Sequence, residues 1–330
     1  MILCISHSKD YYTIDSVIKR LKELGEDVYR LNSDNFSEKL SFSYQNIAGE
    51  PLLEIIDGDI RFTADDIKAV WYRKIWPIEI PENLDKAYRS IYVQEYSAMR
   101  NMFFESLKNK DWINLIETDH SIGENKFEQL RIAKQSGLAI PETIFTNNGA
   151  TVERFFYDVC KKELIAKLNG SLSRSMSGSA SFFPTTLVEE DQIEELKATL
   201  AYCPMIFQRK IEKEYELRVI YIDGIFYAGK INATLSETGK TDWRATKEGN
   251  VGWAIYELPE KITHSITKMM NTMGLVFGAI DVIKQKDGQY VFLEVNPQGE
   301  WGMLQRDLGY PIGETIANKL VERKNRKNNI

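Results

Sequence analysis

The feature that most constrains this chain is a pair of apolar runs near its C-terminus, each interrupted by an acid. Gly278-Ala279-Ile280-Asp281-Val282 is followed, across Asp287-Gly288, by Phe292-Leu293-Glu294-Val295-Asn296-Pro297. Asp-Gly between two β-rich runs is a hairpin signal, because both residues accept the backbone of a tight turn. Side chains alternate along a strand, so Glu294 and Asn296 share a face, and pairing across the turn adds Asp281 to it. A lone charge within an apolar run is costly to bury. Two carboxylates and an amide oxygen form a hard oxygen cluster, which suits Mg²⁺ held partly by phosphate oxygens. Reading the acids as merely solvated strand residues leaves their apolar surroundings unexplained.

Two upstream signals fit a phosphate-handling site. Lys167 stands inside Leu164-Ile165-Ala166-Lys167-Leu168, a β-rich run where a lysine is out of place. A Ser/Gly-rich loop over 169–179 follows at once, and small residues let backbone N–H groups close over phosphates. No Gly-Lys-Ser/Thr ends it, so it is not a Walker A loop. Alone, such a loop is equally a plain linker; the adjacent strand lysine strengthens the functional reading. Next comes Phe207-Gln208-Arg209-Lys210-Ile211, read as a short connection that could offer backbone to an adenine. Arg218, in Glu216-Leu217-Arg218, could fork onto phosphate oxygens, although a single arginine is more often a surface residue.

The remainder of the chain supplies an α/β (α+β) frame. Residues 1–6, 28–31 and 69–72 read as strands, and Ile14, Val17, Ile18, Leu21 and Leu24 recur at helical spacing before Gly25. Residues 84–108, 126–135, 191–200 and 260–273 read as helices; 216–222 with 225–231 reads as a hairpin across Asp223-Gly224. Boundaries are expected near 118 and 205, giving segments 1–118, 119–205 and 206–330. The tail over 323–327 is basic and is expected to fray.

Composition narrows the class. The 330 residues are 43% hydrophobic and 27% charged, ordinary for a chain with a core, and the net charge of −6 argues against a dedicated nucleic-acid binder. Three cysteines (Cys4, Cys160, Cys203) and three histidines are scattered, which predicts neither a disulfide framework nor a zinc site. With no signal-peptide pattern and no apolar run of about 18 residues, a soluble cytoplasmic protein is expected, without a membrane partner.

Taken in order, strand lysine, small-residue loop, connection, Glu-Leu-Arg strand and Asp…Glu-x-Asn resemble the ATP-grasp superfamily. The chain resembles in particular the graspetide (microviridin-type) peptide maturases, nearly end to end. The resemblance is carried by Arg30-Leu31-Asn32-Ser33-Asp34, Val70-Trp71-Tyr72-Arg73-Lys74, Pro141-Glu142-Thr143, Cys203-Pro204-Met205, Asp242-Trp243-Arg244 and the run from Phe292 to Gln298-Gly299-Glu300. The Glu-x-Asn-Pro element is widespread in ATP-grasp enzymes; the tryptophan-containing elements are more specific to the maturases.

The resemblance implies an ATP-grasp fold: an N-terminal pre-ATP-grasp α/β domain, a central domain, and a C-terminal antiparallel-sheet domain. It implies ATP and Mg²⁺ as cofactors. Lys126 and Lys167 would contact phosphates or adenine, Gln208, Arg209, Lys210 and Ile211 would form the adenine hinge, and Glu214 would reach the ribose. Asp281, Glu294 and Asn296 would hold Mg²⁺. Arg218 and Arg244 would stabilise an acyl phosphate or hold the acceptor carboxylate, with Lys230 and Asn232 as further members. Trp71 and Tyr72 read better as core. The implied partner is a precursor peptide with leader and core segments, and a homodimer is implied as well. Two alternatives remain open from sequence: a ligase acting on another acceptor, in the manner of glutamate-adding or glutathione-synthetase-like enzymes, and a non-catalytic ATP-binding regulatory module.

Overall fold

Strand and helix periods alternate from the first residues onward. The computed structural model describes residues 1–34, 40–47, 49, 52–168, 185–231 and 252–325, and arranges them in four sheets among those residues. The N-terminal stretch runs β1 (Ile2–Ser6), α1 (Tyr12–Glu23), β2 (Val28–Asn32), β3 (Leu40–Gln45), β4 (Leu52–Asp57), β5 (Ile60–Thr63), β6 (Ala69–Tyr72), α2 (Arg89–Ser106) and β7 (Asp111–Ile113). β2-β1-β6-β7 form a parallel sheet. Every residue of β1 is buried, as a strand covered on both faces requires. β3, β4 and β5 make a small antiparallel sheet, with Asp57-Gly58 at the β4–β5 turn. α1 lays Ile14, Val17 and Leu21 on the parallel sheet and ends at Gly25, whose φ of +76° is one that glycine adopts without a Cβ penalty.

The central stretch runs α3 (Ile116–Gly123), α4 (Lys126–Gln135), β8 (Thr143–Thr146), α5 (Gly149–Arg154), β9 (Leu164–Lys167), β10 (Thr186–Val188), α6 (Ile193–Thr199) and β11 (Met205–Arg209). Its antiparallel sheet has the order β10-β9-β11-β8. Leu164, Ala166 and Phe207 pack on Val152, Phe156 and Ile193 beneath one face. By strand alternation Ile165, Lys167, Ile206 and Gln208 occupy the other face.

The last stretch runs β12 (Tyr215–Ile222), β13 (Ile225–Ile231), β14 (Ala254–Tyr256), α7 (Glu260–Met273), β15 (Phe277–Lys284), β16 (Tyr290–Asn296), α8 (Gly302–Leu308) and α9 (Ile312–Lys324). Its antiparallel sheet has the order β14-β13-β12-β15-β16. α7 buries Ile266, Met269, Met270 and Met273 against Leu217, Val219, Ile280 and Val282. On the opposite face, Ile220, Ile222, Phe277 and Ala279 join Ile2, Cys4, α1 and α9 in a single core. The C-terminal helix therefore ties the last sheet to the first. Among the described residues no helix is long and apolar enough to cross a membrane.

Three sequence expectations need correction. Residues 207–209, read as part of a connection, belong to β11, because Ile206 and Phe207 are buried between β8 and β9. The expected boundary at 205 therefore falls inside β11. Arg323 and Lys324 do not fray: α9 is anchored by Ile316, Ala317 and Leu320, and Arg323, 8% exposed, lies 3.5 Å from Asp223 and 4.0 Å from Asp111. The Ser/Gly loop over 169–179, Asn232, Trp243 and Arg244 lie outside the described residues.

Candidate active site

The predicted hairpin forms in the register that the chemistry needs. Asp281 pairs directly with Glu294, and Ala279 pairs with Asn296. One extra β16 residue is accommodated between Asp281 and Val282, where the register shifts. On the other side of β15, Asp281 pairs with Arg218 of β12. Arg218, Asp281 and Glu294 thus form a row across three strands.

Each acid in this row is matched by a cation. Arg218 Nη1 donates to Asp281 Oδ1 at 2.7 Å, and Lys126 Nζ lies 2.8 Å from Glu294 Oε2. Lys126 opens α4, whose N-cap Asn125 accepts from the Glu128 N–H. The two carboxylates are only partly buried, at 24% and 29% exposure, so their partners can exchange. Asn296 Oδ1 accepts from the Gln298 N–H at 3.0 Å.

Two buried amides fix the hairpin from outside. Gln129 of α4 donates to the Val295 carbonyl and accepts from the Val295 N–H, at 3.0 and 2.9 Å, so it satisfies the backbone of an edge strand. Asn114 does the same for the start of β15, bonding both the N–H and the carbonyl of Phe277. Both bonds are made to backbone, so the acids of the row are left to their cations.

The turn after Asn296 brings in a group that sequence reading left out of the site. Arg73, directly after β6, donates to the Gln298 carbonyl at 2.6 Å and to Glu300 Oε2 at 2.7 Å. Lys74 grips the other Glu300 oxygen. Arg218 Nη2 donates to the Glu300 carbonyl at 3.1 Å. Burial pushes the Glu300 carboxyl up, but the charges of Arg73 and Lys74 outweigh it and hold it below the usual range. Gly299 is required here: a Cβ would stand 2.3 Å from Ala279 Cβ and 3.0 Å from Arg218 Nη2. Gln298 Nε2 donates to Tyr72 Oη and to Asp119 Oδ1, and burial pushes the Asp119 carboxyl up to about 7. Tyr72 is core, as expected at 3% exposure, yet its hydroxyl also meets His120 Nε2 at 2.9 Å. A legible signal existed: two adjacent cations at the carboxyl end of the buried strand Ala69–Tyr72.

The other predicted residues distribute as follows. Lys167 and Gln208 share the face of the central sheet opposite α5 and α6; Gln208 is 4% exposed and donates to Thr143 Oγ1 at 3.1 Å. Its Oε1 is buried without a hydrogen-bond partner, an acceptor available to a ligand donor. Arg209 lies 3.7 Å from Glu142, and the Lys210 N–H donates to the Glu163 carbonyl. Ile211 follows in the link to β12. Glu214 enters β12 beside Lys284, at 3.7 Å. Lys230 is not on the Arg218 face. It pairs with Leu217, so it leaves the opposite face, where its ammonium lies over the Tyr215 and Tyr256 rings at 5.2 and 5.9 Å. The expected grouping with Arg218 took neighbouring strands for a shared face and is corrected by the register.

The donor set fits the implied metal: two opposed carboxylates and one amide oxygen, all hard ligands, beside two cations that phosphate oxygens can share. Residues 1–120 match the MvdD pre-ATP-grasp domain, and residues 123–321 match the RimK-like ATP-grasp domain. Among solved structures, the macrocyclase MdnC of Microcystis aeruginosa, bound with precursor peptide MdnA, is 27% identical, with 97% of this chain and 99% of that one covered and a TM-score of 0.84. MdnB from the same organism is 34% identical over 97% and 98%, at 0.81. A RiPP-associated ATP-grasp ligase of Chryseobacterium gregarium, in complex with ADP and leader and core peptides, is 32% identical over 99% of both chains, at 0.86. No curated protein matches the chain. The family matches and these full-length likenesses establish that the chain belongs to the ATP-grasp ligases and carries an MvdD-type pre-ATP-grasp domain.

Proposed function

We propose that this protein is an ATP-dependent macrocyclase of a ribosomally made precursor peptide that carries leader and core segments. The observation that carries the reading is the Arg218–Asp281–Glu294 row with Lys126, in a chain similar from end to end to two macrocyclases and a peptide-bound ligase. A side-chain carboxylate of the peptide attacks the γ-phosphorus; the bond from that phosphorus to the β–γ bridging oxygen breaks, and ADP leaves. A side-chain hydroxyl then bonds to the acyl carbon, the carbon–oxygen bond to phosphate breaks, and the proton leaves with the phosphate. The product is an ester ring; a lysine amine in place of the hydroxyl would give an amide. The ester is the favoured product because the sequence resembles the ester-forming maturases more closely than the amide-forming ones.

Asp281, Glu294 and Asn296 would hold Mg²⁺, which neutralises charge on the phosphate oxygens. Arg218 sits where the acyl phosphate's charge develops, and Lys126 reaches the same edge from α4. Lys167 and Gln208 line the central face for the nucleotide, with Arg209, Lys210, Ile211 and Glu214 along the link; Arg244 and Asn232 complete the set as sequence-based assignments. The segment 1–118 is the pre-ATP-grasp domain, and the central and C-terminal ATP-grasp parts, expected as 119–205 and 206–330, join after β11 rather than at 205. The change of family match between 120 and 123 supports the first boundary. A homodimer fits α2, where exposed Ile91 and Met102 share one side by helical spacing and exposed Tyr88 stands just before the helix. The free cysteines, two of them buried, fit a reducing cytoplasm.

The test is mass spectrometry of the precursor peptide encoded beside this protein, incubated with it, ATP and Mg²⁺. Loss of one water mass per ring, absent with Glu294→Gln, is expected, and mild base should open ester rings. ATP hydrolysis without a change in peptide mass would overturn the macrocyclase reading.

A further inference from the structure

In the parallel sheet the chain leaves β1 for β2 on one side and later returns to β6 on the other, so the strand order reverses between β1 and β6. Open α/β sheets bind ligands outside the carboxyl ends of their strands at such a point. Here that crevice holds Arg73 and Lys74, whose N–H groups both reach the Ile5 carbonyl at the end of β1. Arg73 is 1% exposed, and its Nε makes no hydrogen bond; Asp10 lies 3.8 Å from it. Lys74 is 20% exposed.

The two cations hold one carboxylate between them, that of Glu300, with one oxygen on each. Glu300 is 44% exposed and lies in the turn between β16 and α8, outside any helix or strand. Its side chain can swing out without breaking an element, whereas Arg73 cannot follow. With Glu300 gone the buried guanidinium keeps Asp10, 3.8 Å away and not hydrogen-bonded to its Nε, so the departure of Glu300 is favoured when another carboxylate arrives to replace it. The same residue's carbonyl is bonded to Arg218, which holds Asp281 of the proposed metal row. A carboxylate in this grip therefore lies one arginine away from the site of phosphoryl transfer.

We propose that Lys74, backed by Arg73, is the subsite for the peptide carboxylate that becomes activated, and that Glu300 is an internal placeholder displaced by it. This rests on the macrocyclase reading and names its substrate subsite. Carboxylate over carboxamide is the selectivity it supplies, because an amide cannot neutralise the pair.

The experiment measures binding and turnover of the precursor peptide, and of a version with its core Asp and Glu changed to Asn and Gln, by wild type, Lys74→Met, Lys74→Arg and Glu300→Gln. Wild type should prefer the acidic core. Lys74→Met should raise KM for the acidic peptide about tenfold and erase the preference in binding, with leader affinity unchanged; Lys74→Arg should restore it. Glu300→Gln should bind the acidic core several-fold more tightly, since the competitor is gone. If wild type closes rings and Lys74→Met still distinguishes acid from amide as wild type does, or Glu300→Gln binds the acidic core no better, the subsite is overturned while the macrocyclase reading stands. If wild type closes no rings on this peptide, it is the macrocyclase reading that fails.

Discussion

The two sides of the site are built on opposite plans. On the β15–β16 side, Asp281 and Glu294 come from one hairpin, are roughly a quarter exposed, and meet Arg218 and Lys126 respectively. On the β6 side, Arg73 is almost wholly buried and reaches more than two hundred residues along the chain to Gln298 and Glu300. Partly exposed pairs contribute little net stability and can change partners. A buried, multiply bonded arginine cannot be left without its anions cheaply. The hairpin side is thus suited to exchanging ligands at the metal row, whereas on the Arg73 side the arginine stays fixed against the turn and only the part-exposed Glu300 carboxylate beside Lys74 is exchangeable.

Substitutions should separate these plans. Glu294→Gln should lower turnover by about 10²–10³-fold, the scale of losing one element of transition-state charge stabilisation, with little change in a thermal melt. Arg73→Met should do the reverse first. It leaves buried Asp10 without its cation and Glu300 with Lys74 alone, and chemical denaturation should show a loss of about 3–5 kcal/mol. A stable but inactive Arg73→Met protein would break the comparison. Gly299→Ala forces a Cβ against Ala279 and Arg218. It should cost about 1–3 kcal/mol by overpacking, and turnover should fall with it, because Arg218 must shift.

The smallest effect concerns Asp119. Burial raises its carboxyl from the ordinary 3.8 to about 7 in the folded protein. A raised folded value means that the folded state holds the proton more tightly, so this group's stabilising contribution is full below about pH 4 and is lost as pH rises through 7. Asp119→Asn keeps an acceptor for Gln298 and removes the titration. Its melting temperature should exceed that of wild type by a few degrees at pH 8, and the gap should close towards pH 4. A gap that does not depend on pH would place the effect elsewhere.

What could be read from sequence follows the same division. Asp281, Glu294 and Asn296 were legible because a hairpin is local: an Asp-Gly turn and a period of two fix which side chains share a face. Helices 126–135 and 260–273 were legible to the residue, because their apolar spacing is regular and their ends are marked. β11 was missed because a central strand bounded by charged residues looks like a link until its partners β8 and β9 are known. Lys230 was misplaced because register, not strand adjacency, decides the face. Arg73, Lys74 and Glu300 carry no local sign of their contact; only the docking of the two sheets through α9 brings them together.

The central claim is that the Asp281–Glu294–Asn296 cluster takes the metal that ties the nucleotide to this chain. Calorimetric titration of ADP, with and without Mg²⁺, tests it most directly on wild type and on Glu294→Gln, with melts to confirm folding. The account predicts that Mg²⁺ tightens ADP binding to wild type at least about tenfold, a difference of about 1.4 kcal/mol, and that Glu294→Gln loses most of that gain while keeping its metal-free affinity. An undiminished Mg²⁺-dependent gain in the variant would contradict it.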